Sequence, residues 1–186
     1  MYGMVNQALE AMIKETAGPE AWARITARAG VDEPAFVAMK QYPDSVTYAL
    51  AGAAAEELGM PLPKALHAFG VYWVSYADRG PWGKLMHASG GNTYELLAAL
   101  DEMHARIALS FPELRPPSFG VERAQDGVLV EYRSDRPGLA PFVVGLIEGL
   151  GRLYRERVEV RQVDSRDAGA PHDRFLVRAF PMEAEA

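Results

Sequence analysis

Beyond Pro116-Pro117 the spacing of apolar residues changes from steps of three and four to steps of two, which calls for helices first and strands after. Before the break, Val5, Leu9, Met12 and Ile13 keep helical spacing. A second helix is predicted from Pro19 to Gly30, proline first and glycine last. Asp44 or Ser45 is expected to cap a third helix running to Gly59. After Pro61 and Pro63 an aromatic-rich helix carries Leu66, Phe69, Tyr72, Trp73 and Tyr76, followed by a short segment around Trp82 to Met86. Asn92, with Glu95 three residues on, marks the start of a further helix that Pro112 is expected to stop.

Past the break, Phe119 to Arg123 and Val128 to Ser134 read as strands joined across Asp126-Gly127. A helix from Pro141 to about Glu156 follows, then strands at Val158 to Val160 and Phe175 to Val177. This order predicts an α+β fold with an antiparallel sheet.

Composition narrows the function. The 186-residue chain is 49% hydrophobic and 24% charged, within the range of an ordinary globular domain. Its formal charge of −6 and dispersed Lys and Arg argue against a nucleic-acid partner. With no cysteine, disulfides, thiolate metal sites and covalent haem attachment are excluded. The N-terminus does not read as a signal peptide, and the most apolar stretch, Gly138 to Gly151, is too short to span a bilayer, so a cytoplasmic protein without membrane contact is expected.

His104 stands in an apolar stripe of Leu96, Leu97, Leu100, Ile107, Ala108 and Phe111. An imidazole there needs a hydrogen-bond partner or a metal. A core histidine satisfied by a carbonyl meets that need. So does an axial ligand to a haem, which wants one nitrogen and an apolar slot. No second His or carboxylate lies one turn away on the stripe, so a His-x-x-x-His zinc site is unsupported. His67, His87 and His172 read as surface or loop residues.

In Glu131-Tyr132-Arg133-Ser134-Asp135-Arg136 the even positions share one strand face with Val128 and Val130. Two hydroxyls and a guanidinium then point one way, a set suited to a pair of carboxylates such as haem propionates. A solvated strand end with an edge ion pair is the alternative.

Tyr132, Ser134 and Arg136 resemble the propionate-binding signature of H-NOX (haem nitric oxide/oxygen binding) domains. So do the opening Met1-Tyr2-Gly3-Met4-Val5-Asn6, the run Leu100 to Arg106 around His104, Leu114 to Phe119, Gly138 to Pro141, and Gly145 to Gly149. The resemblance covers nearly the whole chain. It implies one domain over residues 1–186, with a mostly helical distal lobe (1–60) and a proximal lobe (61–186) carrying a four-stranded antiparallel sheet. Non-covalent haem b would lie between them. His104 would be the proximal iron ligand, Pro117 would press on a pyrrole, and Asp44 would meet Arg136 to tie the lobes. Tyr2, Leu9, Trp73, Pro141 and Phe142 would also face the cofactor. Oxygen-binding members carry a distal tyrosine where this chain has Pro141.

The implied function is a non-catalytic gas sensor taking nitric oxide, and carbon monoxide, at ferrous iron. The sequence ends soon after Phe180-Pro181, so output is expected in trans, to a histidine kinase or a cyclic-dinucleotide enzyme. A haem peroxidase or oxygenase would want a distal acid–base group, which Leu9, Trp73, Pro141 and Phe142 do not offer. A haem-free scaffold binding a partner is the other alternative.

Overall fold

The computed structural model describes residues 1–33, 35–111 and 113–182. Among them the helices are α1 (Gly3–Ala17), α2 (Pro19–Ala29), α3 (Asp44–Glu57), α4 (Leu62–Arg79), α5 (Gly83–Ser89), α6 (Thr93–Ser110) and α7 (Ala140–Leu153). The strands are β1 (Ser118–Ala124), β2 (Gly127–Arg133), β3 (Glu156–Asp164) and β4 (Asp173–Pro181), all antiparallel in the order β1-β2-β4-β3. The α+β class and the four-stranded sheet therefore stand as expected. No helix among the described residues is long and apolar enough to cross a membrane.

Local chemistry sets most boundaries. Gly30 ends α2 in the left-handed conformation, where a glycine costs nothing sterically. Pro63 sits in the first turn of α4, where a missing N–H is harmless. Asn92 caps α6, its side chain accepting from the Glu95 amide, while Glu95 reaches back to the Gly91 N–H instead of the cap's own.

Several expectations need correction. Neither Asp44 nor Ser45 caps α3. Pro43 precedes the helix without a side-chain cap, and Asp44 is the first helical residue with its carboxylate turned elsewhere. The β1–β2 connection is Gln125-Asp126, because Gly127 already pairs with Ala124 and opens β2 at φ +123. A Cβ there would lie 2.1 Å from the Val177 carbonyl, so only glycine fits. β2 stops at Arg133, which leaves Ser134 and Arg136 beyond the strand. α7 ends at Leu153, and Glu156 belongs to β3. The expected stop at Pro112 falls outside the described residues, and α6 ends at Ser110.

The buried side chains form two clusters. One gathers Leu96, Leu97 and Leu100 of α6, Val143, Ile147 and Leu150 of α7, and Val130, Phe175 and Val177 of the sheet. The other gathers Leu9, Ile13, Trp22, Ile25, Phe36, Leu50 and Phe69 from the helices near the N-terminus. Helix α4 serves both, giving Phe69 to one and Val74 and Ala77 to the other.

Helices α4 and α7 cross with almost no gap. A Cβ on Gly70 would lie 2.1 Å from the Phe142 carbonyl, and one on Gly145 would lie 2.0 Å from the His67 carbonyl. Both obstacles are backbone and cannot rotate away. Gly70→Ala is therefore expected to push α7 off α4 and cost about 1–3 kcal/mol, the usual penalty of overpacking. A lowered denaturation midpoint at unchanged denaturant slope is the expected reading. An unchanged midpoint would show that the crossing has slack.

Candidate functional site

His104 lies on α6 with its helix anchored behind it. Leu96, Leu97, Leu100 and Met103 are buried in the sheet-side cluster, whereas His104 is half-buried at the margin. Its Nδ1 atom is nevertheless sealed from solvent and makes no hydrogen bond. Burial pushes the imidazole below its ordinary pKa, opposed by the Asp101 carboxylate and by the nearby Pro117 carbonyl. A neutral ring with a buried, unpartnered nitrogen is an unpaid cost unless something binds there.

Pro117 reaches His104 through a clamp that sequence reading missed. Asp101, one turn before His104, accepts from Ser118 Oγ at 2.8 Å and from the Phe119 amide at 2.7 Å. These two bonds hold the start of β1, and with it Pro117, against α6. Nothing in the sequence around Asp101 marks it for this role. Phe119 then links His104 to Tyr132, with ring centroids 6.3 Å and 5.4 Å apart.

Tyr132 is 4% exposed on the inner face of β2. Burial pushes its phenol up, opposed by the Ser134 hydroxyl and the Arg136 guanidinium, so the three polar groups do converge. They converge by a turn and not by strand alternation, since the strand has ended. Arg136 Nε donates to Asp44 Oδ2 at 2.8 Å, and Nη1 donates to the Arg115 carbonyl at 3.1 Å. Asp44 also accepts from the Met1 amine. Burial alone would raise the Asp44 pKa, but the amine and Arg136 outweigh it and hold the carboxyl below its usual value.

The remaining predicted residues fall in the other cluster. Leu9 is fully buried there, and Trp73 and Phe142 are partly buried against it. Phe69 stands between them, 6.4 Å from Trp73 and 5.4 Å from Phe142. Pro141 sits in the first turn of α7 and offers no hydroxyl. Tyr2 is buried and bridges to Gln41 ahead of α1.

A cavity of about 640 Å³ opens between α1, the end of α4 and the end of α6. It is lined by Met4, Gln7, Ala11, Ala77, Trp82 and Phe111, among others, and by none of the residues expected to hold or face haem. It lies toward the C-terminal ends of the helices that carry two of them. Phe111 follows His104 by two turns on α6, and Ala77 follows Trp73 by one turn on α4. Such a volume is in the range of cofactor pockets. Its walls come from segments far apart in the chain and mix apolar residues with Gln7, Glu15 and Arg79, so no local signal showed that they would meet.

The other histidines are engaged with carboxylates: His67 with Glu148 at 3.0 Å, His87 with Asp78 at 2.8 Å and His172 with Glu131 at 3.5 Å. Among the described residues no group of three His, Asp or Glu could cage a metal ion. Any metal held at His104 would need its other ligands from a cofactor.

Comparison with known proteins agrees with this chemistry. The family model described as Haem-NO-binding matches residues 2–162. The Caenorhabditis elegans protein "Soluble guanylate cyclase gcy-33" is 29% identical over 155 residues, 83% of this chain but 16% of that one. The Rattus norvegicus "Guanylate cyclase soluble subunit beta-2" is 38% identical over 90 residues, 48% of this chain and 13% of that one. The chain thus spans less than a quarter of the length of either relative. A crystal structure of an H-NOX protein from S. oneidensis in the Fe(II)NO ligation state superposes with a TM-score of 0.86 at 19% identity, covering 96% of this chain and 99% of that one.

Proposed function

Because this chain belongs to the Haem-NO-binding family of haem-binding gas-sensor domains, we propose that it is a ferrous-haem nitric oxide sensor with His104 as its axial ligand. The observation that carries the assignment of His104 is its buried Nδ1 without a partner, on the one histidine not engaged with a carboxylate among the described residues. The family's domain senses and does not catalyse.

The residues present fit haem b. His104 gives one nitrogen at the edge of an apolar helix face, and Tyr132, Ser134 and Arg136 suit the two carboxylates of such a group. Asp101 keeps Pro117 against the same helix and so fixes what presses on the cofactor beside His104. Leu9, Trp73, Pro141 and Phe142 would wall the far side without an acid–base group. Residues 1–60 would form the distal lobe and 61–186 the proximal one.

When bound, haem would supply a ferrous iron able to take nitric oxide or carbon monoxide, and His104 would be the residue that holds it. The consequence for the chain follows from how α6 is fastened. Its N-terminal end is held by Asn92, by Glu156 accepting from the Thr93 amide at 2.9 Å, and by Tyr94 Oη accepting from the Ala179 amide at 2.7 Å. Movement of His104 would therefore be carried toward the C-terminal end of α6. Nitric oxide would shift the chain only by preferring one of its arrangements over another. Output would pass in trans, in the cytoplasm, to a histidine kinase or a cyclic-dinucleotide enzyme.

The test is the visible spectrum of the purified, reduced protein. A ferrous haem spectrum is expected that changes with nitric oxide and is stable in air except for slow oxidation, since Pro141 offers no hydrogen-bond donor to oxygen. A protein free of haem after expression with ample haem would rule out the reading. A long-lived, air-induced ferrous species would reveal a donor near the iron, with the Trp73 indole the first to examine.

A further inference from the structure

Helix α3 grips the segment after β2 at two consecutive residues by different chemistry. Asp44 holds the side chain of Arg136, with Nε at 2.8 Å. One turn on, Tyr48 donates its hydroxyl to the Pro137 carbonyl at 2.8 Å, across 89 residues of chain. We infer that Tyr48 is a positioning residue for Arg136, a tether that holds the Ser134–Leu139 segment against α3 whatever the guanidinium is bound to. Its purpose, though not the contact itself, rests on the haem reading above.

The two grips respond differently to a bound carboxylate. Arg136 already spends Nε and Nη2 on Asp44, with Nη1 on the Arg115 carbonyl. A propionate that recruits the guanidinium competes with Asp44 for the same N–H donors. As that pair loosens, the Asp44 hold on the segment weakens just when Arg136 must be in place. The Tyr48–Pro137 bond involves no charge on either partner and is not in that competition. It also grips backbone: Pro137 has no N–H, so its carbonyl is its one main-chain handle. Beyond it Gly138 turns at φ +72 into α7. A main-chain contact here therefore fixes where the segment leaves the sheet.

Tyr48 stands close enough to the other groups for this role. Burial pushes its phenol above the ordinary value, and the Asp44 carboxylate and Tyr132 add to the rise against Arg136. The hydroxyl stays protonated, and a donor, at any ordinary pH. Sequence reading passed over Tyr48 because a tyrosine at the fifth position of a helix carries no local mark of a partner 89 residues away.

Tyr48→Phe removes the donor and leaves the ring. Haem transfer from the loaded protein to excess apomyoglobin is expected to quicken about fivefold, the worth of one ordinary hydrogen bond. The visible spectrum of the reduced protein should not change, because His104 is untouched. Combined with Arg136→Ala, Tyr48→Phe should add little, since a tether for an absent side chain has nothing to position. A transfer rate within about twofold of the unaltered protein, or full multiplication of the two effects, overturns the inference. Amide hydrogen exchange of the chain as purified separates this from failure of the haem reading. If no haem is bound, faster exchange in the Ser134–Leu139 segment alone still supports the tether, and unchanged exchange overturns it.

Discussion

Replacing His104 by glycine is expected to abolish stable haem binding while leaving the haem-free fold nearly as stable as before, and added imidazole should restore both binding and a similar ferrous spectrum. The two halves of this expectation come from different magnitudes. For the fold, the substitution removes a half-buried ring whose Nδ1 has no hydrogen bond to lose. A glycine inside a helix costs about 1 kcal/mol, and removing an unsatisfied buried group returns a similar amount. For the cofactor, the loss is the sole protein bond to the metal. Removing only an outer partner of a metal site costs roughly 10–100-fold in affinity, so losing the ligand itself should exceed that. The vacated space matches the imidazole that left it, which is why the free ligand can act. Haem titration with and without imidazole, beside denaturant melts of the haem-free chain, separates the effects. A variant that keeps the unaltered spectrum without imidazole would place the ligand elsewhere.

His104 was legible because a helix stripe carries its own periodicity: Leu96, Leu97 and Leu100 are all buried on the face that points to it. Gly30, Pro63 and Asn92 likewise acted through local backbone chemistry that a short window contains. What stayed hidden depends on distant chain segments. Asp44 was placed opposite Arg136 by the family resemblance, and the pair stands at 2.8 Å, whereas the helix cap that its position alone suggested is the place of Pro43. Asp101 clamps the start of β1 through partners 17 and 18 residues away, which its own stretch of sequence does not mark. Ser134 and Arg136 were placed near Tyr132 for the wrong geometric reason. Strand alternation would have aligned them, but β2 ends at Arg133 and a turn brings them back. That Met4, Ala77 and Phe111 share one cavity wall has no sequence mark, since that surface exists only once α1, α4 and α6 meet.

Arg136→Ala is expected to strip haem retention far more than it weakens the fold. As a structural contact the Arg136–Asp44 pair is modest, because the Asp44 side chain is 38% exposed and water screens the attraction. Such pairs contribute about 0–1 kcal/mol. Its pH dependence has a definite sign. The Asp44 pKa is lowered in the folded chain, so the pair's stabilisation is present above the ordinary carboxylate pKa and fades as pH falls through the lowered one. Arg136→Ala should therefore lower stability by that small amount near neutrality and leave it unchanged at low pH, so that the acid-side loss shrinks. Toward haem the same side chain does more. Two propionates deprived of their forked cation at a desolvated edge would lose about 2–5 kcal/mol, the usual cost of leaving one member of a buried charge pair alone. At 1.4 kcal/mol for each factor of ten, haem release should speed by roughly 30- to 4,000-fold. Arg136→Lys should recover only part of this, because an ammonium keeps the charge and lacks the fork. Transfer of haem to excess apomyoglobin measures the rates, and melts across pH measure the fold. Unchanged release from Arg136→Ala would mean that the carboxylates are held elsewhere, and the convergence of Tyr132, Ser134 and Arg136 would then serve only to join α3 to the end of β2.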